Sequence, residues 1–550
     1  MMRTFDRQLR GLSIALALGA LAGSARATDY FVSPSGKDTN SGKSAAQAWK
    51  TLAKVSSFDF APGDRILLES GAVFAGPLNL AASDSGTALA PLVITSSSAA
   101  PATIDAGTGD GFFAWNVSGV EVRNLVVLGS GASTNQGEGV FFYVDLGGGV
   151  KLDHVVLEDL DVHGFGGYGV QLGSGSASKS GFRDVTVRQL DAHANARAGM
   201  AVWGTFSASS TTWAHANLWV VDCTFRDNLG IASVTNTNTG SGIWVSDVDG
   251  ATIEYCESFQ NGSLCANPNG GPVGIWAFDA NDVTIQHCES HHNRTGPNSL
   301  DGGGFDLDGG VTNSRLQYNF SHDNDGAGFL LAQYAGARPF GDNVVRYNVS
   351  QNDARRNGYG ALDLWSGAGA AALRDCELYH NTVFLAASTS PGASAVALQT
   401  AVTNVRLYNN IFVTTGGAKL VRSVAQPGAY FQQNDYFPSG ATFAIQWGGT
   451  TYASLAAWRT ATGQEFFGAR VAGTAVDPRL VAPGTASTVG DPHQLASLTA
   501  YQPLAISPLI NSALDLPLLY GIDVGASDFA GQPTPHGTRY DFGACEWQGP

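Results

Sequence analysis

The 550-residue chain carries 69 Gly and 21 Pro, is 44% apolar and only 14% charged, and has a net charge of -16. That apolar content excludes a disordered tail, and no apolar run beyond the N-terminus is long enough for a polytopic membrane protein. The acidic balance argues against nucleic acid and anionic lipid as partners, while abundant Gly, Ser, Thr and Asn point to many short strands joined by turns.

The chain opens with Arg3, Arg7 and Arg10, an apolar run from Gly11 to Gly23, and Ala25-Arg26-Ala27 before Thr28. This is the pattern of a cleavable secretory signal, too short for a membrane anchor. Residues 1–27 are therefore expected to be removed after Ala27, and the mature protein to be secreted or periplasmic. Six cysteines are too few for a disulfide scaffold. Cys256 and Cys265 are close enough in sequence to pair after export, and no Cys/His zinc spacing is present.

Residues 28–99 read as an N-terminal cap with the first coils. Between residues 100 and 415 a repeat organises the chain. Its first strand reads Cys223-Thr-Phe-Arg-Asp-Asn228, Cys256-Glu-Ser-Phe-Gln-Asn261, Cys288-Glu-Ser-His-His-Asn293, Asn319-Phe-Ser-His-Asp-Asn324, Asn348-Val-Ser-Gln-Asn-Asp353 and Cys376-Glu-Leu-Tyr-His-Asn381. An Asn at the same turn of stacked coils tolerates left-handed backbone and bonds its copy one coil away. Cys223, Cys256 and Cys288 then form an interior stack.

The second strand follows a Gly or Ala in nine copies, among them Gly242-Ile-Trp-Val-Ser246, Gly274-Ile-Trp-Ala-Phe278, Gly304-Phe-Asp-Leu-Asp308 and Ala361-Leu-Asp-Leu-Trp365, at intervals of 24 to 43 residues. Positions one and three after the Gly are apolar throughout and point inward, whereas positions two and four point out. Such spacing is too irregular for a propeller and suits a solenoid with turn insertions.

These repeats resemble the right-handed parallel β-helix of the pectate-lyase-like superfamily over roughly residues 100–415. The resemblance implies an all-β, right-handed parallel β-helix solenoid with an N-terminal cap and a C-terminal capping region. Tyr30-Phe-Val-Ser-Pro-Ser-Gly36, Trp49-Lys-Thr-Leu52 and Pro62-Gly-Asp-Arg-Ile66 look like the N-terminal cap of secreted members, and Asp541-Phe-Gly-Ala-Cys-Glu546 like a recurrent C-terminal element. An open solenoid end is an exposed sheet edge, so residues 416–550 read as the last coils and their cap.

The outward positions of the second strand place Trp203, Trp244, Trp276 and Trp365 on one face, with Phe278 beside them. Coils lie ~4.8 Å apart, so these rings line a groove long enough for several sugars. Asp306 and Asp308 face the same way with Cα atoms ~6.7 Å apart, and Asp363 occupies the Asp306 column two coils on. Paired carboxylates raise each other's pKa and supply the acid and base of glycoside hydrolysis, so Asp306, Asp308 and Asp363 are the expected catalytic set. Asp in a Gly-rich turn also caps backbone amides, and Asp301, Asp306 and Asp308 together offer oxygen ligands to Ca2+, although no cofactor is required. His291 and His322 lie in the coils that carry the acids and are expected proton-transfer or substrate-binding partners. Tyr334, Arg338, Arg355, Arg356 and Tyr359 sit in neighbouring turns, as substrate contacts or as solvated side chains.

By the resemblance, a lyase of this superfamily would cleave a uronic-acid glycan with Ca2+ or basic residues to neutralise the carboxylate. The seven Lys stand at 37, 43, 50, 54, 151, 179 and 419, so none lies in the coils from 180 to 418. The expectation is an exported, monomeric glycoside hydrolase acting on a polysaccharide or oligosaccharide. Alternatives are a polysaccharide lyase and a non-catalytic glycan-binding solenoid, for the superfamily's polygalacturonase signatures are absent and fold alone does not decide.

Overall fold

The computed structural model describes residues 27–369, 371–387, 390–425 and 428–549. The expected signal segment, apart from Ala27, lies outside them. Short parallel strands stack into a right-handed solenoid of about 12 turns. A 14-stranded sheet runs along one side, and a 24-stranded sheet wraps the rest of the coil.

One corner of the wrap is turned by a left-handed residue at an equivalent position in successive coils. Asp159, Gln189, Asp222, Tyr255, His287, Tyr318, Tyr347 and His380 hold φ between 49° and 58°, which turns the strand through the corner. From Tyr255 to His380 these corner rings also stack, at centroid separations of 5.0 to 5.8 Å.

The expected Asn ladder is present. The Oδ1 of Asn228, Asn261, Asn293 and Asn324 each accepts the backbone N–H of the equivalent residue one coil earlier, and Asp353 ends the run. The left-handed conformation falls one residue before each Asn, on Asp227, Gln260, His292 and Asp323. The Asn keeps its side chain pointed along the stack while its neighbour makes the turn. A second ladder joins Asn319, Asn348, Asn381, Asn410 and Asn434. It shows that Cys376–Asn381 belongs one strand earlier than the repeat suggests, because Glu377 pairs with Val344 and Asn381 aligns with Asn348.

Inward positions fill one continuous core in which Cys223, Cys256 and Cys288 stack; the Cys256 N–H meets the Cys288 Sγ at 3.4 Å. All six cysteines are free and buried, so the Cys256–Cys265 bridge does not form.

Tyr30, Trp49, Phe58 and Phe60 cluster at the first coil beside the helix Leu52–Ser56. At the far end the helix Leu455–Thr462 buries Trp458 against Phe431, Tyr436 and Trp447. The remaining chain runs back along the outside of the solenoid. Leu480, Leu495, Tyr501, Leu516, Phe529 and Phe542 form a second core against Phe320, Val349, Tyr379 and Tyr408. One face beyond the corner is therefore covered. Among the described residues no helix is long and apolar enough to cross a membrane.

Candidate active site

The 14-stranded sheet is the face that stays open. Pairing is in register, so one outward column runs Ala201, Trp244, Trp276, Asp306, Leu330, Asp363 and Ala397. In the strand Gly303–Leu307, Phe305 and Leu307 enter the core while Asp306 and the following Asp308 face out. Long turns before the strands rise as one wall, and the rings beyond them form the other. Between them lies a cavity of about 540 Å³.

Trp244, Trp276, Phe278 and Trp365 line this cavity with Tyr168, Tyr334 and Tyr359, above a floor of Leu330 and Ala332. Asp301, Asp306 and Asp308 open into it, joined by Asn238, Asn269, Asn357 and Gln399. No Lys, Arg or His lines it among the described residues.

The three carboxyls differ in how they are held. Asp301 has two donors: the Tyr359 hydroxyl at 2.5 Å and the Gly271 backbone N–H. Asp308 has one, the Gly309 N–H at 2.7 Å. Asp306 is 3% exposed, and its Oδ1 is buried without any partner.

Their acidities follow. Burial raises the Asp301 carboxyl, and its two donors pull it back. Burial carries Asp308 up to about 7 against the Gly309 N–H, helped by the charge of Asp301. Burial, then the charges of Asp308, Asp301 and Asp363, push the Asp306 pKa well above its ordinary value.

Several expected residues stand elsewhere. Asp363, expected to face the groove, is fully buried because its carboxyl folds back on the Gly360 N–H at 2.7 Å and accepts the Gln399 amide at 2.9 Å. Burial raises it to about 6. It orients Gln399, which does reach the cavity.

His291 and His322 share coils with the acids but lie on the 24-stranded sheet, beneath the returning C-terminal chain. His291 Nε2 meets Glu257 at 3.0 Å, and His322 Nε2 meets Glu289 at 3.2 Å. The Val489 and Gly490 N–H groups complete the Glu289 carboxylate. These histidines are structural because the sheet face they occupy is covered.

Arg338 is also structural. It is buried between Asp247 and Asp279, lies over the Trp213 ring and bonds the Ser207 and Thr212 carbonyls, pinning the loop 204–213. Arg356 turns away to the Thr295 carbonyl and Asp325. Trp203 lies outside the main cavity, in an adjoining hollow.

The expected calcium set does not converge. A shared ion at about 2.3–2.6 Å needs closely gathered oxygens. Among the described residues the only three-residue groups whose ligand atoms lie within 4.8 Å are Asp161–His163–His193 and Glu289–His291–His322. In each, the imidazoles stack in parallel, at 4.5 and 4.7 Å, and bond carboxylates instead.

Tyr359, an expected contact, does line the cavity, whereas Tyr168, Asn238, Asn269 and Asn357 are cavity residues that the repeat does not mark as site residues. All but Tyr168 sit in turn insertions of differing length, where no periodicity signals them.

The model of the right-handed β-helix region matches residues 110–345 and 223–412. No curated protein matches the sequence. Among solved structures, the native GH136 lacto-N-biosidase from Eubacterium ramulus is similar at 19% identity and a TM-score of 0.52, over 66% of this chain and 65% of that one. Its selenomethionine form is similar at 20% identity and 0.53, over 69% and 68%. This chain thus spans about two thirds of that protein's length. The pectate lyase Pel9A aligns over 94% of this chain and 96% of its own at 14% identity, with a TM-score of 0.43. At these identities the likeness is one of fold. The two family matches together cover more than half of the sequence, and the chain belongs to the right-handed β-helix family.

Proposed function

We propose that the protein is an exported glycoside hydrolase that cleaves a neutral glycan in the Asp301–Asp306–Asp308 cavity. The observation that carries this reading is an aromatic-walled cavity holding three carboxyls, with no Lys, Arg or His in its lining among the described residues. Aromatic walls with a few placed amides suit a sugar's apolar faces and hydroxyls. Carboxyls left to raise one another are what acid catalysis at neutral pH requires.

The roles follow from the bonding. Asp308, at about 7, is the general acid that protonates the glycosidic oxygen. Asp301, the one with two donors, is the partner carboxylate that faces the positive charge developing at the anomeric carbon, where water takes the place of the departing sugar and becomes the hydroxyl of the new reducing end. Asp306, whose Oδ1 has no partner in the protein, is the carboxyl that meets a sugar hydroxyl or Asp308. Asp363 is a positioning residue that holds Gln399.

A lyase acting on a uronic-acid glycan needs a group to neutralise the sugar carboxylate and a base to remove the adjacent proton. The nearby guanidiniums of Arg338 and Arg356 are committed to Asp247, Asp279 and Asp325, and the cavity would repel a polyuronate. A purely binding solenoid gives no reason to leave Asp306 unpartnered at a cost in stability.

Incubation of the mature protein with neutral and uronic-acid glycans, following new reducing ends and unsaturated-uronate absorbance, tests the reading. New reducing ends from a neutral glycan, without unsaturation and unaffected by EDTA, are expected. Unsaturated products would replace the hydrolase by the lyase.

A further inference from the structure

Beside the acid cavity lies a second hollow of about 260 Å³, and Phe278 and Tyr334 line both. Trp203 and Phe206 complete its walls, with Asp279 at its side. The Trp203 ring lies across Gly173, where a Cβ would come within 2.5 Å of the indole. Only a glycine there leaves room for the indole against the strand. Phe206 is 49% exposed although large and apolar.

The hollow is built rather than incidental. Its loop, 204–213, is pinned by Arg338 on the Ser207 and Thr212 carbonyls and by Lys179 on the Thr205 carbonyl. Asp279, 2% exposed, borders the hollow and is held there by Arg338, whose Nε lies 2.8 Å from its Oδ1. Flat aromatic faces beside a fixed carboxylate match a pyranose, which offers apolar C–H faces and hydroxyl donors.

We propose that this hollow is a second sugar subsite, holding the unit next to the one cleaved, so that the protein selects oligosaccharides extending past the scissile bond. Trp203 and Phe206 stack on that unit, Asp279 accepts one of its hydroxyls, and Tyr334 and Phe278 connect the two sites. The inference rests on the hydrolase reading of the acid cavity.

The test measures kcat/KM on neutral cello-, xylo-, manno- and galacto-oligosaccharides of two to six units for the wild type, Trp203→Ala and Phe206→Ser. Trp115→Ala, three coils away on the same face, is the control, and calorimetric titration follows binding in parallel. The gain in kcat/KM from short to long chains is expected to fall about tenfold in both variants and to persist in the control, with melting curves confirming folded protein. An equal gain in wild type and both variants would overturn the subsite while leaving the hydrolase intact. Length-dependent binding without turnover, abolished by Trp203→Ala, would refute the hydrolase and leave the sugar subsite standing. Neither binding nor turnover would refute both.

Discussion

Two groups of buried carboxylates sit in the same coils and are treated in opposite ways. On the covered face Glu289, fully buried, meets His322 and two backbone N–H groups, and Asp323 meets the other nitrogen of His322. On the open face Asp306, nearly as buried, meets nothing, and its neighbours Asp301 and Asp308 add charge of the same sign. A fold that satisfies one set so fully does not leave the other unsatisfied by want of donors. The contrast separates carboxylates that hold the structure from carboxylates kept for chemistry.

The largest effect expected from breaking this contrast is on rate. Asp308→Asn removes the acid that titrates near 7 and should lower kcat about 10²–10⁴-fold on any glycan the wild type cleaves, read as initial rates of new reducing ends. Next comes stability on the covered face. Glu289→Gln leaves His322 without its main counter-charge and should cost about 3–5 kcal/mol, measured by denaturant unfolding.

The opposite sign is expected on the open face. Asp306→Asn removes a carboxyl whose folded pKa stands above its unfolded value near 4, so the folded state is penalised as pH rises past that value. The variant should be more stable than wild type by about 1–2 kcal/mol at pH 8 and indistinguishable near pH 4, while losing activity. Destabilisation at pH 8 would place Asp306 among the structural carboxylates.

The smallest effect is the pH dependence of the covered pair. Burial alone would lower His322, but its bonds to Asp323 and Glu289 carry it up to about 9. Its contribution is therefore complete below the unfolded value of about 6.5 and is lost as pH rises through about 9. His322→Ala should remove that loss from the melting temperature measured between pH 6 and 10.

The solenoid was legible because period-two alternation and recurrent Asn and Gly set the coil register, and that register alone puts Trp244, Trp276, Asp306 and Asp308 on one face. What covers a face was not legible. His322 and Asp306 are both outward residues in the pattern, and only the returning chain distinguishes them. That chain, from about 466 to 549, is held by short turns and isolated contacts such as Val489 to Glu289, which leave no periodic trace. Asp363 shows the same limit on a smaller scale. Strand parity gives the side of the sheet, but not that a carboxyl folds back on Gly360. Asp301 lies outside the repeat and is marked by the sequence only as a calcium ligand; its tie to the cavity wall is the bond to Tyr359, 58 positions away.

The most direct measurement is the pH–rate profile of wild type and Asp308→Asn on a cleaved neutral glycan, in EDTA, with melting curves on the same samples. The account predicts a wild-type kcat/KM that falls as pH rises through about 7, and a variant that stays folded, loses that limb and retains little of the rate. A folded variant that keeps both the rate and the limb would contradict it.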